Sequence, residues 1–167
     1  MITTIQAFVD EWTHESTTTL RVLNTLTDTS LAQQIAPDFR TLGQLGWHIA
    51  TTIHEMISLT GLQFDAPENK EQHAPSSAKT IADTYRTSAA ALTTAIQSQW
   101  TDVTLAESHD MYGESWLNSF TLRVLISHEI HHRGEMIVLM RQAGLRVPDV
   151  YGPTREDWLE RGMQPLV

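Results

Sequence analysis

Residues 128–134 read HEIHHRG. His128 and His132 are four positions apart. On a helix that spacing sends both imidazoles from one face, with Cβ atoms about 5–6 Å apart. Turning about 100° per residue from His128, the same face carries Leu117, Thr121, Val124, Leu125, Met136, Leu139 and Ala143. The apolar period therefore predicts a long helix from about Trp116 to Ala143, with Gly144 as its stop signal. The histidine pair then sits on the stripe that faces a core. Two neighbouring imidazoles in an apolar stripe cannot both be charged, and each neutral ring needs polar partners. Either side chains and water satisfy them as packing groups, or they share a divalent ion at about 2.0–2.1 Å from each nitrogen. The i, i+4 pairing favours the ion.

Working outward, three more segments carry the helical period. The first stripe is Ile5, Phe8, Val9, Trp12, Ser16, Thr19, Leu20, Leu23 and Leu26, broken by TDTSLAQQIAPDF. The second is Leu42, Leu45, Ile49, Ile53, Met56 and Leu59, starting near Thr41 and ending at Gly61. QFDAPENKEQHAPSS is polar, holds two prolines and reads as a loop. Ser76 or Ser77 then caps a third helix, whose stripe is Ile81, Tyr85, Ser88, Leu92, Ala95 and Ile96. TDVTLAESHDMYGES is a connector holding a short hairpin or an irregular turn. No period-2 run is long enough for a core strand. The expectation is an all-α, four-helix bundle with a long connection between helices two and three, in one domain over 1–167. Residues 144–167, with Pro148, Gly152 and Pro153, read as an irregular tail.

Composition removes several function classes. Twenty Asp and Glu against eleven Lys and Arg give a formal charge of −9. Such a surface repels phosphates, so neither nucleic acid nor an anionic membrane is an expected partner. With no cysteine, disulfides, thiolate ligands and a cysteine nucleophile are excluded. MITTIQAFVDEW lacks the basic start of a signal peptide, and no apolar run reaches the roughly 18 residues of a membrane span. The expected location is the cytoplasm.

A third ligand from another helix would strengthen the ion reading. His48, in GQLGWHIATTIHEM, lies at the rim of the second stripe beside Leu45 and Thr52. His54 points elsewhere and is expected in solvent, His14 is off the first stripe, and His73 and His109 fall in loops. His131 lies to one side of His128, as a neighbour of the site, an interface residue or an exposed one. Three neutral imidazoles leave a coordination position open, which is the pattern of catalytic rather than structural sites. HEIHH also satisfies H-E-x-x-H, in which the glutamate of a zinc protease is the general base. The longer metzincin form fails because Glu135 stands where its glycine belongs. Such proteases also hold peptide on a sheet edge, so this is the least favoured reading.

SHEIHHRGEMIVLMRQAGLRVPDVYG, together with LGWHIATTIHEM about 80 residues earlier, resembles the signature of the DinB-like superfamily. The resemblance covers essentially the whole chain; the later motif is fairly specific and the earlier one weak by itself. It implies a four-helix bundle binding one divalent ion, usually nickel or zinc, through three histidines, carried over here as His48, His128 and His132. It also implies a homodimer. Some members are metal-dependent thiol transferases or isomerases that use bacillithiol, mycothiol or glutathione. One departure stands out: many relatives read HRGQ, and here Glu135 replaces the glutamine. A carboxylate there either accepts a hydrogen bond from a liganding ring or is an extra ligand.

The resulting expectation is a metal-dependent enzyme acting on a small molecule, by thiol transfer or hydrolysis. Glu129 is a proton acceptor or a surface carboxylate, and Glu55 a weaker candidate for the same role. Arg133 is solvated or ion-paired. The alternatives are a non-catalytic metal-binding dimer and a plain helical dimer. Ile126, Ile130 and Ile137 form a second apolar face on the last helix, which either a second copy or the folded-back tail would cover.

Overall fold

The computed structural model describes residues 2–67 and 73–165. Helix α1 spans Ile5–Leu23 and starts where Thr4 Oγ1 accepts the Ala7 amide at 3.1 Å. Its buried stripe includes Phe8, Trp12, Glu15, Thr19 and Val22. Glu15 rather than Ser16 thus faces inward, one step round from the expected position. A 3₁₀ turn at Asp28–Ala32 fills the break that follows.

Helix α2, Leu42–Ser58, begins with a capping box: Thr41 Oγ1 accepts the Gln44 amide and Gln44 Oε1 accepts the Thr41 amide. That fixes the helix origin two turns before His48. A Cβ on Gly43 would meet the Leu31 Cβ at 3.0 Å and the Leu31 carbonyl at 3.2 Å. Glycine therefore lets the 3₁₀ turn lie against the start of α2. Helix α3, Ala78–Gln99, is capped by Ser77, the second of the two expected serines. Part of the loop before it, residues 68–72, lies outside the described residues.

The connector after α3 holds a second 3₁₀ turn, Asp102–Ala106, and then an antiparallel hairpin of β1, Ser108–Met111, and β2, Glu114–Leu117. Tyr112 and Gly113 at its tip both have positive φ, 60° and 88°, as a two-residue turn of this hand requires. His109 is therefore on a strand rather than in a loop. Helix α4 starts at Asn118, not Trp116, because Trp116 and Leu117 are used in β2. It runs to Gln142. Gly144 follows in the left-handed region, and the Leu145 amide reaches back to the Met140 carbonyl at 2.9 Å.

The four long helices enclose one apolar core. Helix α2 packs on α3 and α4, and α1 packs on the same two from the other side. This is an all-α four-helix bundle with a minor hairpin at one end. Among the described residues, no helix is long and apolar enough to cross a membrane.

The tail is more ordered than its composition suggested. Val147 is buried in the core and Val150 packs on it. A short helix α5, Arg155–Glu160, is tied to the end of α4 by Arg141–Glu156 and to the segment after it by Arg146 with Asp157 and Glu160. Of the second apolar face of α4, Ile126 is fully buried within the chain and Ile130 and Ile137 are half-buried.

Candidate metal centre

The capping box of α2 and the pairing of α2 with α4 bring His48 opposite His128 and His132 at mid-height of the bundle. Three Nε2 atoms converge: His48 to His128 at 3.0 Å and His132 to His128 at 3.1 Å. The ring centroids are 4.4–4.9 Å apart. The three rings form a group with ligand atoms within 4.8 Å of one another.

The outer nitrogens decide what the inner ones present. Glu135 Oε2 lies 2.6 Å from His132 Nδ1. A carboxylate there holds the proton on Nδ1, which leaves the Nε2 lone pair pointing into the trio. His48 Nδ1 is 3.3 Å from Thr52 Oγ1, one turn along α2. A proton on His128 Nε2 serves one neighbour well, not both. A cation satisfies all three. Ligands about 2.1 Å from one ion and near right angles to each other stand about 3.0 Å apart, which matches the observed spacing. The donor set fits a divalent ion.

Burial, helped by the charge of Arg40 and by the neighbouring imidazoles, pushes His48 down to about 4. Burial, then the charges of His132, His131 and Arg40, push His128 down to about 4. Both rings are therefore neutral and able to ligate near pH 7. A histidine with a depressed folded pKa stabilises the fold above its unfolded value, and this is lost as pH falls through the folded value. Ion-free protein is expected to melt at progressively lower temperature from about pH 6.5 down to about 4 on this account.

Glu129 runs the other way. Burial raises it to about 7, against the pull of Thr19, Tyr85 and Arg133. Its contribution is full below about 4.5 and is lost as pH rises through 7. Thermal melts in chelator of a His48→Gln/His128→Gln double variant should expose that opposite slope. A slope equal to the wild type's would contradict it.

The remaining candidates are spread around α4. His131 is exposed, with Nε2 3.8 Å from Glu135 Oε1. Glu129 turns away from the trio: its Oε1 accepts from Thr19 at 2.7 Å and from Tyr85 at 2.8 Å, while Oε2 is buried without a partner among the described residues. Arg133 is not solvated. It is 1% exposed and donates to Glu15 Oε2, the Glu15 carbonyl, Thr19 Oγ1 and Tyr151. Glu55 accepts from Tyr112 at the hairpin tip. His54 is half-buried against Phe64, with ring centroids 4.9 Å apart, rather than free in solvent.

Two cavities flank the trio. One, of ≈ 990 Å³, includes His48, Thr51 and Glu55 in its wall. The other, of ≈ 520 Å³, includes Leu45, His132, Glu135 and Val138. Arg40 lines both, and it lies in an irregular segment where no periodicity marks it. Thr52 was within reach of the sequence, being four residues after His48 on the same helix.

Glu135→Gln should lower ion affinity by about 10–100-fold, because an amide orients the ring less strongly and leaves it less basic. Competition with a chelator of known affinity measures this. Unchanged affinity would mean that the carboxylate does not tune His132.

A bundle with three histidines converging between its second and last long helices matches a known class. The chain belongs to the DinB family, whose model matches residues 1–163. It is 43% identical to the Bacillus subtilis (strain 168) protein YrdA over 164 residues, 98% of each chain. A solved DinB-like protein from Bacillus cereus ATCC 10987 is 50% identical, with a TM-score of 0.86 over 90% of this chain and 100% of that one. The DinB-like protein YjoA of Bacillus subtilis is 21% identical with a TM-score of 0.67, over 86% of this chain and 97% of that one, and shares the fold.

Proposed function

We propose that this protein is a metal-dependent enzyme acting on a small molecule, with one nickel or zinc ion held by His48, His128 and His132. The observation that carries the reading is the convergence of three Nε2 atoms, one with its lone pair turned inward by Glu135. Three protein donors leave room for a further ligand, and an ion so held supplies Lewis acidity that lowers the pKa of a bound water or thiol.

The protein's own groups do the rest. Glu135 fixes the tautomer of His132 and lines the smaller cavity. Glu129 lines neither cavity and ties α4 to α1 and α3 instead. Leu45, Val138 and Leu139 give the smaller cavity an apolar wall. The reaction class that suits this arrangement is transfer of a low-molecular-weight thiol or hydrolysis. The half-buried Ile130 and Ile137, on the face of α4 opposite His128, suit a homodimer through α4.

The test is metal content of untagged protein, wild type against His48→Ala, followed by thiol titration of cobalt-substituted protein. The expected results are loss of the ion with helicity kept, and a change in the cobalt visible spectrum. A wild type that takes up no ion ends the metal reading. An unchanged spectrum with every small thiol, and no hydrolysis of ester or amide probes, ends the enzymatic one.

A further inference from the structure

The segment between the first 3₁₀ turn and α2 is a closed strap. Gln34 and Thr41 pair across its base, and the Leu42 amide donates to the Gln33 carbonyl at 2.7 Å. Asp38, at φ 69°, turns the chain at the strap's far end. The strap holds out Ile35, Phe39 and Arg40, all exposed.

Arg21, Arg86, Arg123, Arg133, Arg141 and Arg146 each pair with a carboxylate, whereas Arg40, Arg155 and Arg161 have no ion pair among the described residues. Arg40 has none although Asp38 is two residues away and the chain is strongly acidic. Of these three, Arg40 is the one in the walls of the two cavities beside the trio. A planar guanidinium matches a carboxylate in shape and charge. The smaller cavity continues from it along Ile35, Leu45, Val138 and Leu139. That wall takes an apolar chain. Asp38 and Glu135 also line this cavity, so two carboxylates face one guanidinium. A dianionic phosphate meets more repulsion there than a singly charged carboxylate does.

We infer that the substrate is a small organic monocarboxylate, its carboxylate bound by Arg40 and its apolar part lying between the strap and α4, beside the trio. This rests on the reading of the trio as a metal site only for what happens to the substrate, not for the anchoring itself. The tied base of the strap fixes the backbone that carries Arg40 before substrate arrives, which reduces the backbone part of the ordering cost of binding.

Calorimetric titration of hexanoate, hexanamide and pentylphosphonate tests this, with wild type, Arg40→Gln and His128→Ala, each with and without nickel. Wild type should bind hexanoate about tenfold or more tightly than hexanamide, the effect of one charge-assisted pair. Arg40→Gln should abolish that preference while hexanamide affinity and nickel uptake stay the same. His128→Ala should keep the preference, since Arg40 remains. The inference is overturned if hexanoate and hexanamide bind alike in wild type, if Arg40→Gln keeps the preference, or if hexanoate shows no saturable binding. Tighter binding of pentylphosphonate overturns the carboxylate class. Failure of wild type to take up nickel ends the metal reading separately, because the Arg40 comparison is also made without the ion.

Discussion

Arg133→Ala is expected to destabilise the fold by about 3–5 kcal/mol, the usual cost of removing one partner from a buried ion pair. The side chain is 1% exposed and Glu15 is 6% exposed. Arg133 Nη2 meets Glu15 Oε2 at 2.5 Å, while Nη1 donates to Thr19 Oγ1 at 3.0 Å. Truncation leaves the Glu15 carboxylate without its cation and removes a donor from Thr19, which itself donates to Glu129. Domains of this kind are stable by only about 5–15 kcal/mol, so the variant approaches the limit of folding. Urea denaturation of ion-free protein followed by circular dichroism measures it. A paired replacement, Glu15→Leu with Arg133→Met, should lose much less, since no charge is then stranded. A single variant within about 1 kcal/mol of wild type would mean that water reaches the pair.

His128→Ala should remove the stabilisation that a divalent ion gives. His128 is the middle ring, the one whose Nε2 lies near both others. Without it His48 and His132 remain as two donors on different helices. An ion present at about 1,000 times its dissociation constant stabilises the native state by about 4 kcal/mol. For a chain of this size that is roughly a 10 °C rise in Tm. Wild type should show such a rise on adding nickel or zinc, and His128→Ala a rise of no more than about 1 °C. Ion-free, the two proteins should melt close together, which separates loss of the ion from loss of the fold. An undiminished rise in the variant would place the ion elsewhere.

The helices were legible because each long one is amphipathic. Phe8 and Trp12 on α1, or Ile81 and Tyr85 on α3, repeat with the period of one face and are buried. The same period misplaced the inward position at 15–16, since hydrophobicity alone prefers a serine to a glutamate in a core. What brings Glu15 inside is Arg133, 118 residues later, and no local pattern carries that pairing. The sequence alone leaves a short hairpin and an irregular turn both open for the connector, because the strands are four residues each and mostly exposed, so no alternation builds up. Tail residues 155–160 form a helix through their cap and through arginines of the preceding segment, again partners outside the window. In the site, spacing on one helix was sufficient to put His128 beside His132. The direction of Glu129 into Thr19 and Tyr85 depends on what α1 and α3 offer. Arg40 left no trace because its strap follows no period; its place over the two cavities is set by the closed base at Gln34 and Thr41.

The separation of His48 and His128 by 80 positions has a kinetic consequence. An ion held by both rings would clamp two points that meet only after α2, α3 and the hairpin have closed a long loop. If so long a loop closes after the folding barrier, the clamp would act on the rate of escape from the native state. The loaded protein would then reach its fold no faster than the bare chain and stay in it far longer, resisting proteolysis where cleavage waits on global opening.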